Sequence, residues 1–349
     1  MSAQTAERYH FETGIYRPPS EGGSYSLLVR FTRNCPWNRC EFCAMYKTEK
    51  FELRSVDEIK QDIDAIATLC DDLKGGQPDG TVSRETLVAL IGRNPELNYH
   101  QGFAMVYHWL LSGAKTAFVQ DANSLIMPTD PLVEVLSHLR KTFPTIVRVT
   151  SYARAKTLAQ KKPEELVAIR RAGLDRLHIG LETGDDDLLK KVKKGVTSEG
   201  QIKGGRKAME AGFQVSEYWM PGLGGRDMWE HHAVNTARVL NAINPHYIRS
   251  RPFYTIPGTP MHEAAQLGNL QLLTPSEQLL ELKRMVEALD VTSRVCFDHA
   301  GNYWRDRHGN LLFTHSYEGY KFPEEKQKVL NRIEEGLKAD NQRPEYLNL

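Results

Sequence analysis

Three cysteines, Cys35, Cys40 and Cys43, stand in the segment RFTRNCPWNRCEFCAMYK with the spacing C-x4-C-x2-C. Three thiolates on one loop can ligate three irons of a [4Fe-4S] cluster and leave the fourth iron without a protein ligand. That open iron is the part able to do chemistry. The same thiols, with a His or Asp, could instead build a structural zinc site, but such sites take four protein ligands and often a second C-x2-C pair, which this sequence lacks. A third reading, cysteines that are merely buried, sits poorly with their crowding in a loop rich in Pro, Asn and Arg. Of the five cysteines, only Cys70 and Cys296 stand apart. An odd, clustered set is the opposite of a disulfide framework.

The cysteine segment follows a short apolar run, residues 24–31 (SYSLLVRF), of strand length, so it forms a loop at a strand's C-terminal end. Before it, residues 1–23 are polar and rich in Gly and Pro, a lead-in strap. Ser55 with Glu58, just ahead of Ile59, Ile63, Ile66 and Leu69, predicts a capping box and an amphipathic helix that ends at Gly75-Gly76. Residues 77–114 break the rhythm and read as a helical insertion. From Lys115 onward strands and helices alternate, the pattern of a parallel sheet covered by helices. The further strands are KTAFVQ, IVRVTS, LDRLHIGL, FQVSEYWM and HYIRSRPF. Between them, Asp130 followed by Pro131 at the first helical position opens one helix, and others run over about 163–173, 185–194, 199–212 and 233–243. The expectation is an α/β fold, a partial (β/α)6 TIM-like barrel over 24–264, with residues 265–349 as a C-terminal extension closing the barrel. Six strands fall short of the eight of a complete barrel, and the chemistry belongs at the strands' C-terminal ends.

Composition narrows the classes. The 349 residues carry 45 Lys+Arg against 44 Asp+Glu, a net charge of +1, so the chain has no global field for a polyanion or a membrane surface. No segment reads as a signal peptide or a membrane span, and the expected location is cytoplasmic. Nucleic acid and membrane are not expected partners; a small molecule recognised locally is.

The strand-then-cysteine loop, Phe42 before the last cysteine and the partial barrel resemble the radical S-adenosylmethionine (radical SAM) superfamily, whose usual motif is C-x3-C-x2-C. Here the loop is one residue longer. The resemblance covers residues 24–264 and is closest to the branch of methylthiotransferases, oxygen-independent coproporphyrinogen oxidase and cobalamin-linked enzymes. In HIGLETGDDDLLKKVKKGVT, Glu182 takes the position that branch uses near the SAM ribose, and Lys194 the position of an Arg that pairs with the SAM carboxylate. Lys keeps the charge but not the bidentate fork; as a helix-end cation it needs no ligand.

The resemblance also implies SAM contacts at Gln120 and Asp121, where the family's glycines are absent, at Ser151 and Arg154 after the third strand, and at Met220 in YWMPGLGG, where glycine permits close backbone approach. Tyr254, ahead of a PGTP turn, and Arg249 complete the set. Arg249 and Arg251 alternate on one strand and so share a face, which holds an anionic substrate if it is interior and is solvated if it is exterior. In the cluster CFDHAGNYWRDRHGN, Cys296 could donate a hydrogen atom or ligate an auxiliary cluster, or be an inert buried thiol, and His299 could donate a proton or form a structural pair with Asp298.

What the resemblance implies in sum is a [4Fe-4S] cluster on Cys35, Cys40 and Cys43, SAM chelated at the open iron, and reductive cleavage to a 5′-deoxyadenosyl radical that takes hydrogen from a small substrate. It also implies a low-potential electron donor of flavodoxin or ferredoxin type. A methylthiotransferase would need a second cluster with three more cysteines, and only two remain. The alternative from another class is a non-catalytic iron–sulfur redox sensor or an RNA-associated protein that carries a cluster.

Overall fold

The computed structural model describes residues 8–14, 25–75, 81–100 and 102–339. Most of the strap, residues 77–80 of the insertion and the end of the C-terminal extension lie outside the described residues. The chain divides into two compact units, the first built from 1–36, 49–152 and 163–176 and the second from 37–48, 153–162 and 177–349.

In the first unit, β1 (Ser26–Val29) is followed by a small antiparallel pair, β2 (Thr32–Arg33) and β3 (Glu52–Leu53), which brackets the cysteine segment in sequence. α1 (Val56–Lys74) opens on the expected capping box, with the Ser55 and Glu58 side chains each satisfying the other's backbone N–H. Gly75, at φ +58°, closes it in the left-handed conformation glycine tolerates best. The insertion supplies α2 (Arg84–Arg93) and α3 (Phe103–Leu111). β4 (Thr116–Val119) runs parallel to β1 and, after α4 (Thr129–Thr142), β5 (Arg148–Ala153) runs parallel to β4. α4 begins two residues earlier than the Asp130-Pro131 signal predicts: Pro128 is the cap and Pro131 sits at the third helical position. A proline is tolerated there because the first four backbone N–H groups of a helix have no intrahelical partner.

α5 (Ala155–Gln160) belongs to the second unit and α6 (Pro163–Arg171) to the first. The second unit then continues with β6 (Arg176–Glu182), α7 (Asp186–Lys191), α8 (Ser198–Glu210), β7 (Gln214–Trp219), α9 (Gly225–Ile243) and β8 (Tyr247–Ser250). α10 (Pro260–Gln266), α11 (Pro275–Ala288), β9 (Arg294–Cys296), β10 (Tyr320–Lys321) and α12 (Lys326–Leu337) follow. Its strands lie in the order β6-β7-β8-β9-β10, with β7, β8 and β9 parallel and β10 antiparallel at the edge. All six strands expected from the pattern form, in a mostly parallel α/β arrangement. β9 and β10 are additions within the C-terminal extension, too short to show a period of their own.

Alternation along the strands decides which side chains can meet a ligand. Trp219, Ile248 and Val295 pack with Ala237 and Leu240 of α9, Leu282 and Met285 of α11, and Val329 and Ile333 of α12 in one apolar core. Because successive side chains point to opposite faces, Arg249, next to Ile248, faces away from those helices. Among the described residues no helix is long and apolar enough to cross a membrane.

Candidate functional site

The cysteine loop is shaped by its polar residues. Asn34 and Asn38 both adopt positive φ, +68° and +47°, a conformation Asn tolerates better than most residues. Lys47 Nζ donates to the carbonyls of Asn38 and Cys40 at 3.0 and 2.9 Å and ties the loop's return path. Cys35 belongs to the first unit, and Cys40 and Cys43 to the second. No cysteine is in a disulfide.

Within the second unit the loop is fastened to the segment after α7. The backbone N–H of Glu41 donates to Val192 O at 3.0 Å, Trp37 Nε1 donates to Lys193 O at 2.7 Å, and Lys193 Nζ pairs with the Glu41 carboxylate at 2.7 Å. Gly195, at φ +76°, lies so close under the indole that a Cβ there would stand 2.3 Å from Trp37 Cζ2. This anchorage sets the next residue. Lys194 turns its side chain inward, where Nζ donates to Glu182 Oε1 at 2.7 Å and stands 5.9 Å from the centre of the Phe42 ring. Arg154 Nη2 donates to Lys194 O at 2.6 Å.

Glu182 itself closes β6 at φ +63°, the left-handed region, a conformation that costs a non-glycine residue on the order of 1 kcal/mol or more. Burial pushes the Cys40 thiol up, and the Lys194 and Arg154 cations pull it back toward the thiolate. Phe42 and Met220 pack against Leu188, Val192, Leu223, Phe253, Met261 and Leu270, an apolar cluster between the loop and the glycine-rich turn after β7.

The other expected positions are distributed as follows. Gln120 and Asp121 end β4 in the first unit, both buried; Gln120 Oε1 accepts from Gly14 N at 2.9 Å and Asp121 Oδ2 accepts from Arg30 Nε at 2.6 Å. Ser151 lies within β5, its hydroxyl bonded to backbone carbonyls. Tyr254 is 51% exposed. Arg249, Cys296 and His299 gather in the second unit around Asp298, apart from the Lys194–Glu182 pair in their contacts. Cys296 is fully buried, and burial pushes its thiol up to about 12. Burial and the Arg251 cation hold the His299 imidazole down at about 4.

Two buried carboxyls were not singled out by the sequence. Glu217, inside β7, has no hydrogen-bond partner on either oxygen, and burial, reinforced by the Glu182 charge, raises its carboxyl well above the usual range. The signal was the lone acid in the strand segment FQVSEYWM. Glu281 of α11 accepts from Gly222 N at 2.5 Å beneath the glycine-rich turn, and burial pushes it up to about 8.

The donor set suits the cofactors the motif implies. Three uncrosslinked cysteines on one short loop match three irons that each take one thiolate. Among the described residues no three His, Cys, Asp or Glu side chains converge on a single metal ion; ligands on separate irons stand further apart than ligands sharing one. The buried Lys194 and Glu182 offer one charge of each sign, the complement of an amino acid's carboxylate and ammonium.

Residues 111–237 match the model of the Radical SAM superfamily. The heme chaperone HemW of Bacillus subtilis (strain 168) is 27% identical over 177 residues, 49% of this chain and 45% of that protein. The chain thus spans less than half the length of this curated relative. Similar solved structures include methylornithine synthase PylB, at 17% identity and TM-score 0.45 over 76% of this chain and 63% of that one. The coproporphyrinogen III oxidase HemN of Escherichia coli matches at 15% identity and TM-score 0.45, over 82% and 55%. The family match lies across β4 to α9, over residues 111–237, and the three-cysteine loop stands ahead of it.

Proposed function

We propose that the chain is a radical SAM enzyme acting on a small substrate, with Cys35, Cys40 and Cys43 holding a [4Fe-4S] cluster. The observation that carries this reading is the buried Lys194–Glu182 pair beside Cys40 and Phe42. Together the cluster and SAM supply, when bound, one-electron cleavage of SAM to methionine and a 5′-deoxyadenosyl radical that takes hydrogen from a substrate. The chain's own residues do the placing. Lys194 binds the carboxylate of SAM and Glu182 orients its ammonium or ribose, each exchanging part of their mutual contact for the ligand. The apolar cluster around Phe42, Met220 and Leu223 excludes water from the pocket, which protects a reactive intermediate from side reactions.

The electron must come from outside. Lys156, Lys190, Lys193 and Lys203 surround a surface cavity of about 950 Å³ walled by Trp37, with Asp186 and Asp187 as its acids. Trp37 is also flanked by the Arg39 and Arg154 guanidiniums, 5.2 and 5.1 Å from its ring centre. Excess positive charge around Trp37, which stands between Cys35 and Cys40 in the sequence, favours an acidic low-potential carrier of flavodoxin or ferredoxin type.

Anaerobic reconstitution with iron and sulfide, followed by dithionite and SAM, tests the reading. The expected product is 5′-deoxyadenosine. A spectroscopically intact cluster that yields none overturns the enzyme reading, in favour of a non-catalytic iron–sulfur protein or a carrier of the kind named for HemW.

A further inference from the structure

Arg249 is fully buried, on the face of β8 turned away from the helices. Its Nε donates to Ser216 Oγ at 3.1 Å, and its Nη1 donates to Asp298 Oδ2 at 2.9 Å and Tyr317 O at 3.1 Å. Nη2 has no acceptor. Two residues on, Arg251 Nη1 donates to Asp298 Oδ1 at 3.0 Å. One carboxylate therefore serves two guanidiniums, and the site carries a surplus positive charge. The Tyr317 ring lies 3.8 Å under the Arg249 guanidinium and the Tyr218 ring 4.6 Å under that of Arg251; such faces soften the charge without neutralising it. The other titratable neighbours do not cancel it either. Cys296 is kept a thiol and His299 neutral by burial, and Glu318 is committed to Arg294 and the Tyr247 hydroxyl.

A buried cation with an unmet donor is expensive unless something completes it. Arg251 keeps 15% of its side chain exposed, so its end of the pair is reachable from solvent. We propose that Arg249 and Arg251 are the anchor for a carboxylate on the substrate, which shares the two guanidiniums with Asp298. This rests on the reading of the chain as a radical SAM enzyme and names the class of its substrate, a carboxylic acid. SAM does not need the pair, because Lys194 and Glu182 offer its amino-acid end a charge of each sign beside Cys40.

The test uses the full chain with its cluster loaded, and glutarate, propionate and inorganic phosphate as probes in thermal melts and calorimetry. Glutarate and propionate are expected to raise the melting midpoint saturably. Arg251→Gln should weaken their binding about tenfold or more, the scale of one lost charged hydrogen bond, while SAM affinity stays within about twofold. Arg251→Lys, which keeps the charge and loses the fork, should fall between, and serves if the Gln variant does not fold. No saturable shift with either acid, equal shifts in wild type and variants, or a response to phosphate alone would each overturn the assignment. So would an Arg251→Gln loss of SAM affinity as large as its loss of glutarate. The titration needs no turnover: Arg251-dependent binding without 5′-deoxyadenosine formation would sink the enzyme reading and leave the anion site standing.

Discussion

Lys194 Nζ and Glu182 Oε1 meet at 2.7 Å across twelve residues of chain, with side chains only 10% and 14% exposed. Neither could reach the other from a regular structure alone. Glu182 ends its strand at a left-handed φ, and Lys194 follows a segment pinned to the cysteine loop through Val192 and Lys193. The pair thus links the loop's position to the charge pattern at the end of β6.

Removing the cation should separate SAM binding from cluster binding. Lys194→Met is expected to weaken SAM affinity about tenfold or more, as for a lost charged hydrogen bond, while iron and sulfide content stay at the wild-type level. Lys194→Arg should restore most of the affinity. Calorimetry with SAM beside an iron assay reads both; a variant that keeps SAM affinity would remove Lys194 from the site.

Gly180 is a sharper probe of the same pair. A Cβ there would lie 2.2 Å from Glu182 Oε1 and 3.0 Å from Lys194 Nζ. Gly180→Ala must displace the carboxylate, so its loss of SAM affinity should match that of Lys194→Met with a melting temperature close to wild type. An unchanged SAM isotherm would contradict the assignment.

The cysteines should divide by function. Ala at Cys35, Cys40 or Cys43 is expected to abolish the reconstituted cluster's visible absorbance. Cys70 is buried in α1, its thiol pushed up to about 12 by burial, and Cys70→Ala should leave cluster content intact. Cluster loss at Cys70, or retention at any of the three, would count against the ligand set.

The stability profile against pH should have two slopes with different owners. Burial holds His232 down at about 4, its Nε2–H donating to Met220 O at 3.0 Å. A depressed imidazole binds a proton more readily when unfolded, so stability is lost as pH falls from about 6.5 toward about 4; His299, also held at about 4, acts the same way. Glu281, pushed up to about 8, has the opposite sign. The unfolded chain releases this proton first, so stability falls as pH rises from about 4.5 to about 8. Glu217, also raised by burial, has the same sign, and His232 Nε2 stands 3.8 Å from Glu281 Oε1. Glu281→Gln should therefore reduce the alkaline slope, with Glu217 keeping part of it. Denaturant melts at pH 5, 6.5 and 8, chosen about these values, read the change; an alkaline slope as steep in Glu281→Gln as in the wild type would refute its assignment.

Charge reversal on the Trp37 face should act on electron delivery alone. With Lys190→Glu and Lys203→Glu together, reduction by an acidic flavodoxin is expected to slow about tenfold or more at low salt and to lose its ionic-strength dependence. Reduction by dithionite should be unaffected. Equal slowing with both reductants would point to damage at the cluster loop.

The sequence by itself determined the elements that repeat or cap: six strands, the Ser55 capping box, the Gly75 stop, and the cysteine loop at a strand's end. It determined them because periodicity, cap residues and thiol spacing are local. It also pointed to Glu182 and Lys194 by their place in a motif. The addition of β9 and β10, the buried acids Glu217 and Glu281, and the direction Arg249 faces were decided by tertiary structure. A three-residue strand has no period to read, and a carboxyl's proton affinity depends on what surrounds it in space. Arg249 and Arg251 were legible as a pair on one face. That the face is the one turned from the helices, with Asp298 and Tyr317 brought from about 50 and 70 residues further along the chain, follows only from packing.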